Sequence, residues 1–207
     1  MTIHDLVPET PETPQTPGTP TASAPAVPFP EAPRRTKGYD KRAVDHFLEL
    51  ARLSFESRGT DPEALSSRDV RGVACPLSRH GYAIAPVDAA LARIEDAFAA
   101  QERGRAVSTG GVRSWVGQTR EAGQEILDRL TRAPRHRFER VGSMRYGYRV
   151  DEVDLVTDKI SRYLETGESV SVDQVRAVAF RMQRGGYREV QVDALLDAVV
   201  EVMLAVR

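Results

Sequence analysis

The motif Gly-Tyr-x-x-x-x-Val-Asp occurs four times in this chain of 207 residues. Four residues separate the tyrosine from the valine in every copy, and such a fixed spacing indicates one structural unit used repeatedly. The copies are Gly38, Tyr39, Val44 and Asp45; Gly81, Tyr82, Val87 and Asp88; Gly147, Tyr148, Val153 and Asp154; and Gly186, Tyr187, Val192 and Asp193. Any fold of the chain therefore has to provide four similar local structures.

Each valine starts a stripe of apolar residues at offsets 0, 3, 4, 7 and 11, with Thr157 as a polar exception. These offsets place the stripe on one side of an α-helix. The stripes contain Val44, Phe47, Leu48, Ala51 and Phe55; Val87, Ala90, Leu91, Ile94 and Phe98; Val153, Val156, Ile160 and Leu164; and Val192, Leu195, Leu196, Val199 and Met203. Because short helices are marginal alone in water, each must dock on another part of the fold or on a second chain.

A longer duplication groups the four copies into two pairs. Residues 66–94 and 171–199 align without a gap at an offset of 105 and share 12 of 29 residues. In this alignment Cys75 matches Phe180, so the cysteine is predicted to be a core residue. The segments at Ser66 and Ser171 have the pattern of capping boxes, which predicts a further helix start in each pair. The sequence therefore predicts an all-α fold with a first repeat pair at 34–100 and a second at 137–207.

The remaining segments are a tail and a linker. Residues 1–33 are rich in Pro and Thr, carry four acidic residues and contain no Lys or Arg. This composition predicts a disordered tail with polyproline II character. A solvated leader is the plainest interpretation, while a tether or a ligand for Pro-binding domains is the functional alternative. Residues 101–136 are predicted to be a linker containing a helix at 113–132, with Gly110 and Gly111 as a loop hinge.

The motif residues themselves favour structural roles. Pro86 before Val87 suggests a helix start there, which places each motif aspartate near the third helical position as a cap. The glycine indicates a positive φ or a close approach to a neighbouring helix. The tyrosine is interpreted as a packing lid with a bonded hydroxyl, and a partner-binding surface tyrosine is the alternative.

Catalytic and metal-binding functions find no support in the sequence. Cys75 is the single cysteine, and the histidines His4, His46, His80 and His136 lack metal-ligand spacing. A phosphate-binding loop, a dinucleotide fingerprint and a serine nucleophile elbow are also absent. The N-terminus does not predict a secretory signal peptide, and no apolar run is long enough for a membrane span. We therefore expect a non-enzymatic, cytoplasmic protein without a cofactor.

The segment Lys37–Leu48, KGYDKRAVDHFL, resembles the amino-terminal domain of the DivIVA family, in which an Arg-Gly-Tyr-Asp turn leads into an apolar helix. Residues 34–207 as a whole are similar to actinobacterial proteins with repeated short DivIVA-like modules. The resemblance implies a non-catalytic adaptor or accessory role in cell division, polar growth or cell-envelope organisation. It also implies protein partners, with self-association open, and a position at the septum, the pole or the inner membrane surface. No sustained heptad pattern is present, so filament-like scaffolding is not predicted.

Two further kinds of partner were weighed. The family's membrane loop presents a Phe, whereas this chain has Thr36, Arg79, Arg145 and Arg184 at that position, so peripheral membrane contact by this loop has little support. A basic cluster is the candidate surface for an anionic partner, although a helix end followed by a solvated loop is the favoured explanation. The cluster consists of Arg129, Arg132, Arg135, Arg137, Arg140 and Arg145.

The alternative function is DNA binding. Residues 171–203 superficially fit a helix-turn-helix. Nucleic acid is nevertheless a poor partner, because the would-be recognition helix carries four acidic residues and no Lys or Arg between Glu189 and Met203.

Overall fold

The structure, a computed structural model, describes residues 29–57, 61 and 63–207. Of the tail predicted for residues 1–33, residues 1–28 therefore lie outside the described residues. The elements are β1 (Lys37–Tyr39), α1 (Lys41–Glu56), α2 (Ser67–Arg71), β2 (Leu77–Arg79), α3 (Ile84–Leu130), β3 (Tyr146–Tyr148), α4 (Val150–Thr166), α5 (Val172–Arg176), β4 (Met182–Arg184) and α6 (Glu189–Ala205). The prediction of a mostly helical fold is confirmed. All four Val-Asp pairs lie in helices.

The element order β-α-α-β-α occurs twice, so the all-α prediction holds for the helices and misses four short strands. The strand β1 pairs antiparallel with β2, with Gly38 opposite Ser78, and β3 pairs antiparallel with β4, with Gly147 opposite Gln183. Each strand has three residues, which is too short for the alternating apolar pattern that reveals a strand in a sequence. The first Gly-Tyr of each half lies in a strand, and the second follows the partner strand, where its tyrosine forms an isolated bridge to the first tyrosine.

The helix α3 is longer than predicted and has two arms. It continues from the second motif through the region predicted as a linker and is interrupted at Gly111, where φ is 79° and ψ is 157°. Glycine adopts such a positive φ without the steric penalty of a side chain. We call residues 84–110 the proximal arm and residues 112–130 the distal arm. The predicted hinge at Gly110 and Gly111 therefore joins two helical arms, and it is a kink rather than a loop.

The main core surrounds α6. Buried side chains from α6 include Val192, Leu195, Val199 and Met203, and they pack with residues of α4, α5 and the distal arm of α3. Two smaller clusters fill the first half, one around Val44 and Val87 and one around Ala51, Val70 and Phe98. The helix α6 therefore connects the second half to both arms of α3.

Both short helices begin with the predicted capping boxes. Ser66 caps α2 with Asp69 as its reciprocal partner, and Ser171 caps α5 with Gln174. In each box the serine hydroxyl accepts from a backbone N–H and the third residue accepts from the serine N–H. These contacts fix the start of helices of five residues, which would otherwise be unstable.

The first half begins earlier than predicted, because residues 29–33 are part of the fold. The Ala32 N–H donates to the Gly81 carbonyl, and the Ala83 N–H donates to the Pro30 carbonyl. The Phe29 ring stands edge-on to Tyr82 at 5.4 Å, as Phe138 does to Tyr187 at 5.3 Å in the second half. The proline-rich composition concealed this segment, because such a composition predicts disorder. Proline lacks only the N–H donor, so the Ala32 N–H and the Pro30 carbonyl can still pair with the neighbouring backbone.

Candidate functional site

The two Gly-Tyr segments of each half are joined through their backbones. The Tyr39 N–H donates to the Tyr82 carbonyl at 2.9 Å, and the Tyr82 N–H donates to the Tyr39 carbonyl at 2.8 Å. Tyr148 and Tyr187 exchange the same pair of bonds at 2.9 Å each. A reciprocal pair of this kind is the unit of an antiparallel ladder. The two motifs of one half therefore form one structural element.

The motif glycines allow this approach. A Cβ atom at Gly38 would lie closer than 3.0 Å to the Tyr82 carbonyl, and one at Gly186 would lie equally close to the Tyr148 carbonyl. The same holds for Gly81 and Gly147 against the facing tyrosine carbonyls. None of the four motif glycines has a positive φ, so that predicted reason for glycine is wrong. The predicted close approach is present, but it is to the facing backbone and not to a helix. The positive φ occurs one residue earlier, at His80 and Gly185.

Each motif tyrosine reaches the aspartate of the other motif in its half. The Tyr187 hydroxyl donates to Asp154 Oδ1 at 3.0 Å, and the Tyr82 hydroxyl contacts Asp45 Oδ2 at 3.4 Å. In the reverse direction burial raises the pKa of Tyr39 and Tyr148, and the carboxylates of Asp88 and Asp193 respectively raise it further. The second carboxylate oxygen of Asp154 accepts the Arg135 N–H at 2.8 Å. We call these four pairings of a tyrosine with the aspartate of the other motif the crossed Tyr–Asp pairs.

The prediction that the motif aspartates cap helices is wrong. Each helix starts three residues before the motif valine, so Asp154 is the fifth residue of α4, beyond the reach of the free N–H groups. The observed cap of α1 is Asp40, which accepts from the Ala43 N–H.

Burial raises the pKa of Tyr187 to about 12, with Asp154 as the second cause. Burial also raises the pKa of Asp193, which places both groups in a partly desolvated setting.

A buried ion cluster joins the two halves. Glu95 accepts from Arg71 Nε at 2.6 Å and pairs with Arg176 Nη2 at 2.7 Å, and its side chain is only 3% exposed. Arg176 also binds Asp96, and Arg71 donates to the Asp197 carbonyl. Arg71 and Arg176 occupy equivalent positions under the offset of 105. The Glu95 carboxylate of the first half therefore pairs with the equivalent arginine of each half. We call Arg71, Glu95 and Arg176 the central ion cluster.

A cavity of about 410 Å³ lies at this junction. Its lining combines equivalent residues of the two halves, which include Val70 and Val175, Val73 and Val178, Leu91 and Leu196, and Asp88 and Asp193. The central ion cluster lies in the same lining. Sequence reasoning missed this site. The available signal was that Glu95 stands where the duplication has Val200, because a charge at an apolar position indicates a buried polar contact.

The predicted basic cluster does not form one free surface. Arg137 is buried and donates to Thr157 Oγ1 at 2.7 Å and to the Asp154 carbonyl at 3.0 Å, and it pairs with Asp158. Thr157 is therefore the polar member of its stripe because it receives this arginine. Arg135 lies near Asp151 at 3.8 Å. Arg132, Arg140 and Arg145 are exposed, and Arg129 is half-buried.

The described residues contain few features of other site classes. No group of three or more His, Cys, Asp and Glu side chains within residues 29–57, 61 and 63–207 is placed to hold a metal ion. In the same ranges, no helix has both the length and the apolarity that crossing a bilayer requires. Cys75 is half-buried beside the core of the first half, and burial raises the pKa of its thiol.

A scan against protein-family models and searches of curated proteins and of solved structures find no match for this chain.

Proposed function

We propose that the chain is a non-catalytic, DivIVA-like adaptor that acts through protein–protein contacts in cell division, polar growth or cell-envelope organisation. The crossed Tyr–Asp pairs support this proposal most strongly. They link the modules through the tyrosine and the aspartate of each motif, which belong to the Gly-Tyr and Val-Asp segments that resemble the DivIVA family. Groups buried and paired in this way stabilise a scaffold, and function then resides on the surface that the scaffold presents.

The surface at the β3–β4 sheet is the proposed contact region. Met144 is 89% exposed and Tyr146 is 56% exposed, while the Arg184 guanidinium lies 5.7 Å from the Tyr146 ring centroid. Arg140 and Arg145 are exposed nearby in sequence, on the segment that enters β3. Exposed aromatic and arginine side chains are typical of protein interfaces. An acidic protein partner at the septum or the pole, with the chain on the cytoplasmic side, fits this surface best.

DNA binding receives less support than the adaptor role. The helix α6, the would-be recognition helix, has one side in the main core, with Val192, Val199 and Met203 buried. Moreover, the strand β4 separates α5 from α6, so the segment lacks the tight turn of a helix-turn-helix. An acidic helix with one side in the core is poorly suited to a DNA groove.

A fluorescent fusion in growing cells tests the proposal. We expect signal at the pole or septum and co-purification of a division or growth protein. The variant Arg140/Arg145/Arg184→Glu should lose both, because it reverses exposed charges at the proposed contact region. Arg137 must be kept, since its contacts hold α4. The matched control, Arg42/Arg93/Arg113→Glu, makes the same charge change on other exposed arginines and should keep both.

A diffuse signal without a co-purified division protein would contradict the cellular role. Salt-sensitive retention of random duplex DNA in an electrophoretic shift would favour the alternative function. Equal loss in the two triple variants would show that the β3–β4 surface is not the contact region.

A further inference from the structure

A small polar pocket lies where the distal arm of α3 ends and α6 begins. Its volume of about 330 Å³ is at the lower end of the range of roughly 300–1,000 Å³ that is usual for small-ligand sites. Its polar lining consists of Arg129, Arg132, His136, Arg137, Glu139 and Gln191. We call it the arginine pocket. The arginines of the proposed contact region, Arg140, Arg145 and Arg184, lie outside this lining, so the two sites are separate.

Arg137 gives the arginine pocket a fixed wall. Its side chain is only 7% exposed. Its Nε donates to the Arg132 carbonyl at 3.3 Å, and its Nη1 donates to the Asp154 carbonyl and to Thr157 Oγ1 on α4. The loop that carries Arg132 and His136 is therefore tied to α4 through a buried side chain. A loop that is already ordered loses less conformational freedom when a ligand binds.

The other donors of the arginine pocket have no acceptor in the described part of the chain. The side chains of Arg129, Arg132 and His136 form no hydrogen bond or ion pair with residues 29–57, 61 or 63–207. Gln191 accepts the Glu139 N–H through Oε1 at 2.9 Å, which leaves its Nε2 hydrogens without an acceptor in the same ranges. Donors that line a concave surface and lack an acceptor favour an anionic occupant.

The charge of the lining is positive. Glu139 is the one acidic residue in it, and its carboxylate pairs with Arg188 at 3.3 Å. Arg129 and Arg132 therefore remain as two cations without a counter-charge. The C-terminal end of the distal arm attracts cations, which explains the position of Arg129. It does not explain the free amide of Gln191, which comes from the first turn of α6.

We propose that the arginine pocket binds the phosphate group of a small phosphate monoester. Such a group carries a charge of about −1.5 to −2 near neutral pH and three acceptor oxygens. The two guanidinium groups match that charge, and each can donate two parallel hydrogen bonds to phosphate oxygens. His136 and Gln191 supply further N–H donors. A carboxylate has a single charge and two oxygens, so it would leave part of these donors unused. The proposed adaptor role is not needed for this inference.

Heteronuclear NMR of the full chain tests the site. Glycerol 3-phosphate and inorganic phosphate are added separately at constant ionic strength, and the ¹H–¹⁵N signals of the Gln191 side-chain amide and the His136 backbone are followed. We expect saturable shifts with glycerol 3-phosphate, with an affinity at least equal to that of inorganic phosphate. Sodium acetate should cause no saturable shift. An equal response to acetate, or a response to inorganic phosphate alone, would overturn the proposal.

Two variants should change the affinity for glycerol 3-phosphate in opposite directions. Gln191→Glu keeps an acceptor for the Glu139 N–H but replaces the free N–H donors with a negative charge, so Kd should rise about tenfold or more. Glu139→Gln removes the acidic side chain of the lining and should lower Kd. A damaged fold does not bind more tightly, so this pair separates the site from a general loss of structure.

A third variant has a matched control. Arg132→Gln should raise Kd about tenfold, because it removes one of the two guanidinium groups. Arg145→Gln makes the same charge change at an exposed arginine outside the lining and should keep the wild-type affinity. Equal losses in these two variants would show unspecific attraction to a basic surface and would overturn the proposal, as would unchanged binding in Gln191→Glu.

Discussion

The Tyr187 hydroxyl donates a 3.0 Å hydrogen bond to Asp154, although the two residues belong to different copies of the motif. Tyr187 follows β4 and is fully buried, whereas Asp154 lies in the second turn of α4. The bond therefore joins the last motif of the chain to the preceding one. Equivalent pairs join the motifs of the first half, so each motif is stabilised by the other motif of its half.

The motif glycines should be intolerant of any side chain. We predict that Gly186→Ala lowers the free energy of unfolding by more than about 2 kcal/mol, because its Cβ would collide with the Tyr148 carbonyl. Chemical denaturation measures the change. Gly142→Ala is the control, since nothing lies within 4 Å of its Cβ position, and it should change stability by less than about 0.5 kcal/mol. Equal effects of the two variants would refute the close-approach explanation.

The central ion cluster should be sensitive to the loss of its carboxylate. Glu95→Ala leaves Arg71 and Arg176 without their shared partner in a buried site, and we predict a loss of about 3 kcal/mol in the free energy of unfolding. Urea titration followed by circular dichroism provides the measurement.

The control for that prediction removes all charges of the cluster together. In Arg71→Met/Glu95→Val/Arg176→Met no buried charge of the cluster remains unpaired, so most of the stability should return. A triple variant as unstable as Glu95→Ala would show that the ions themselves hold the halves together.

Alkaline pH should weaken the fold through Tyr187. Its pKa is raised to about 12, so the folded state favours the neutral phenol. This contribution is complete below the unfolded pKa of about 10 and is lost as the pH rises through 12. Ultraviolet titration of the phenols, compared with Tyr187→Phe, identifies its transition. Asp154→Asn should move that transition to lower pH, and an unchanged transition would exclude Asp154 as a cause.

The segment before β1 should contribute to stability despite its proline content. Phe29→Ala removes the edge-on ring contact with Tyr82, and we predict a loss of roughly 1–2 kcal/mol in the free energy of unfolding. Thermal unfolding measures the change. Met144→Ala, at an exposed position, is the control and should leave the free energy of unfolding almost unchanged. A neutral result for Phe29→Ala would place the start of the first half after residue 33, as the composition alone suggests.

The helical parts of this fold were predictable because apolar periodicity survives in a single sequence. The stripe beginning at Val153 and the capping box at Ser171 both correspond to observed helices. The strands were not predictable, since three residues carry no usable period. The role of Asp154 was also missed, because spacing inside one motif does not reveal which other motif lies opposite.

Two polar residues could have pointed to the buried contacts. Thr157 breaks an apolar stripe, and the structure shows that it receives Arg137. Glu95 occupies an apolar position of the duplication, and it joins the halves. The arginines that contact these two residues come from distant positions in the chain. The polar residues could therefore be recognised in the sequence, but their partners could not.

The most direct test of the crossed Tyr–Asp pairs is a double-mutant cycle on Tyr187→Phe and Asp154→Asn. The free energy of unfolding of the wild type, both single variants and the double variant gives the coupling between the two side chains. A coupling of about 1–3 kcal/mol is predicted. A coupling near zero, with additive losses from the single variants, would contradict the claim that these pairs lock the motifs together.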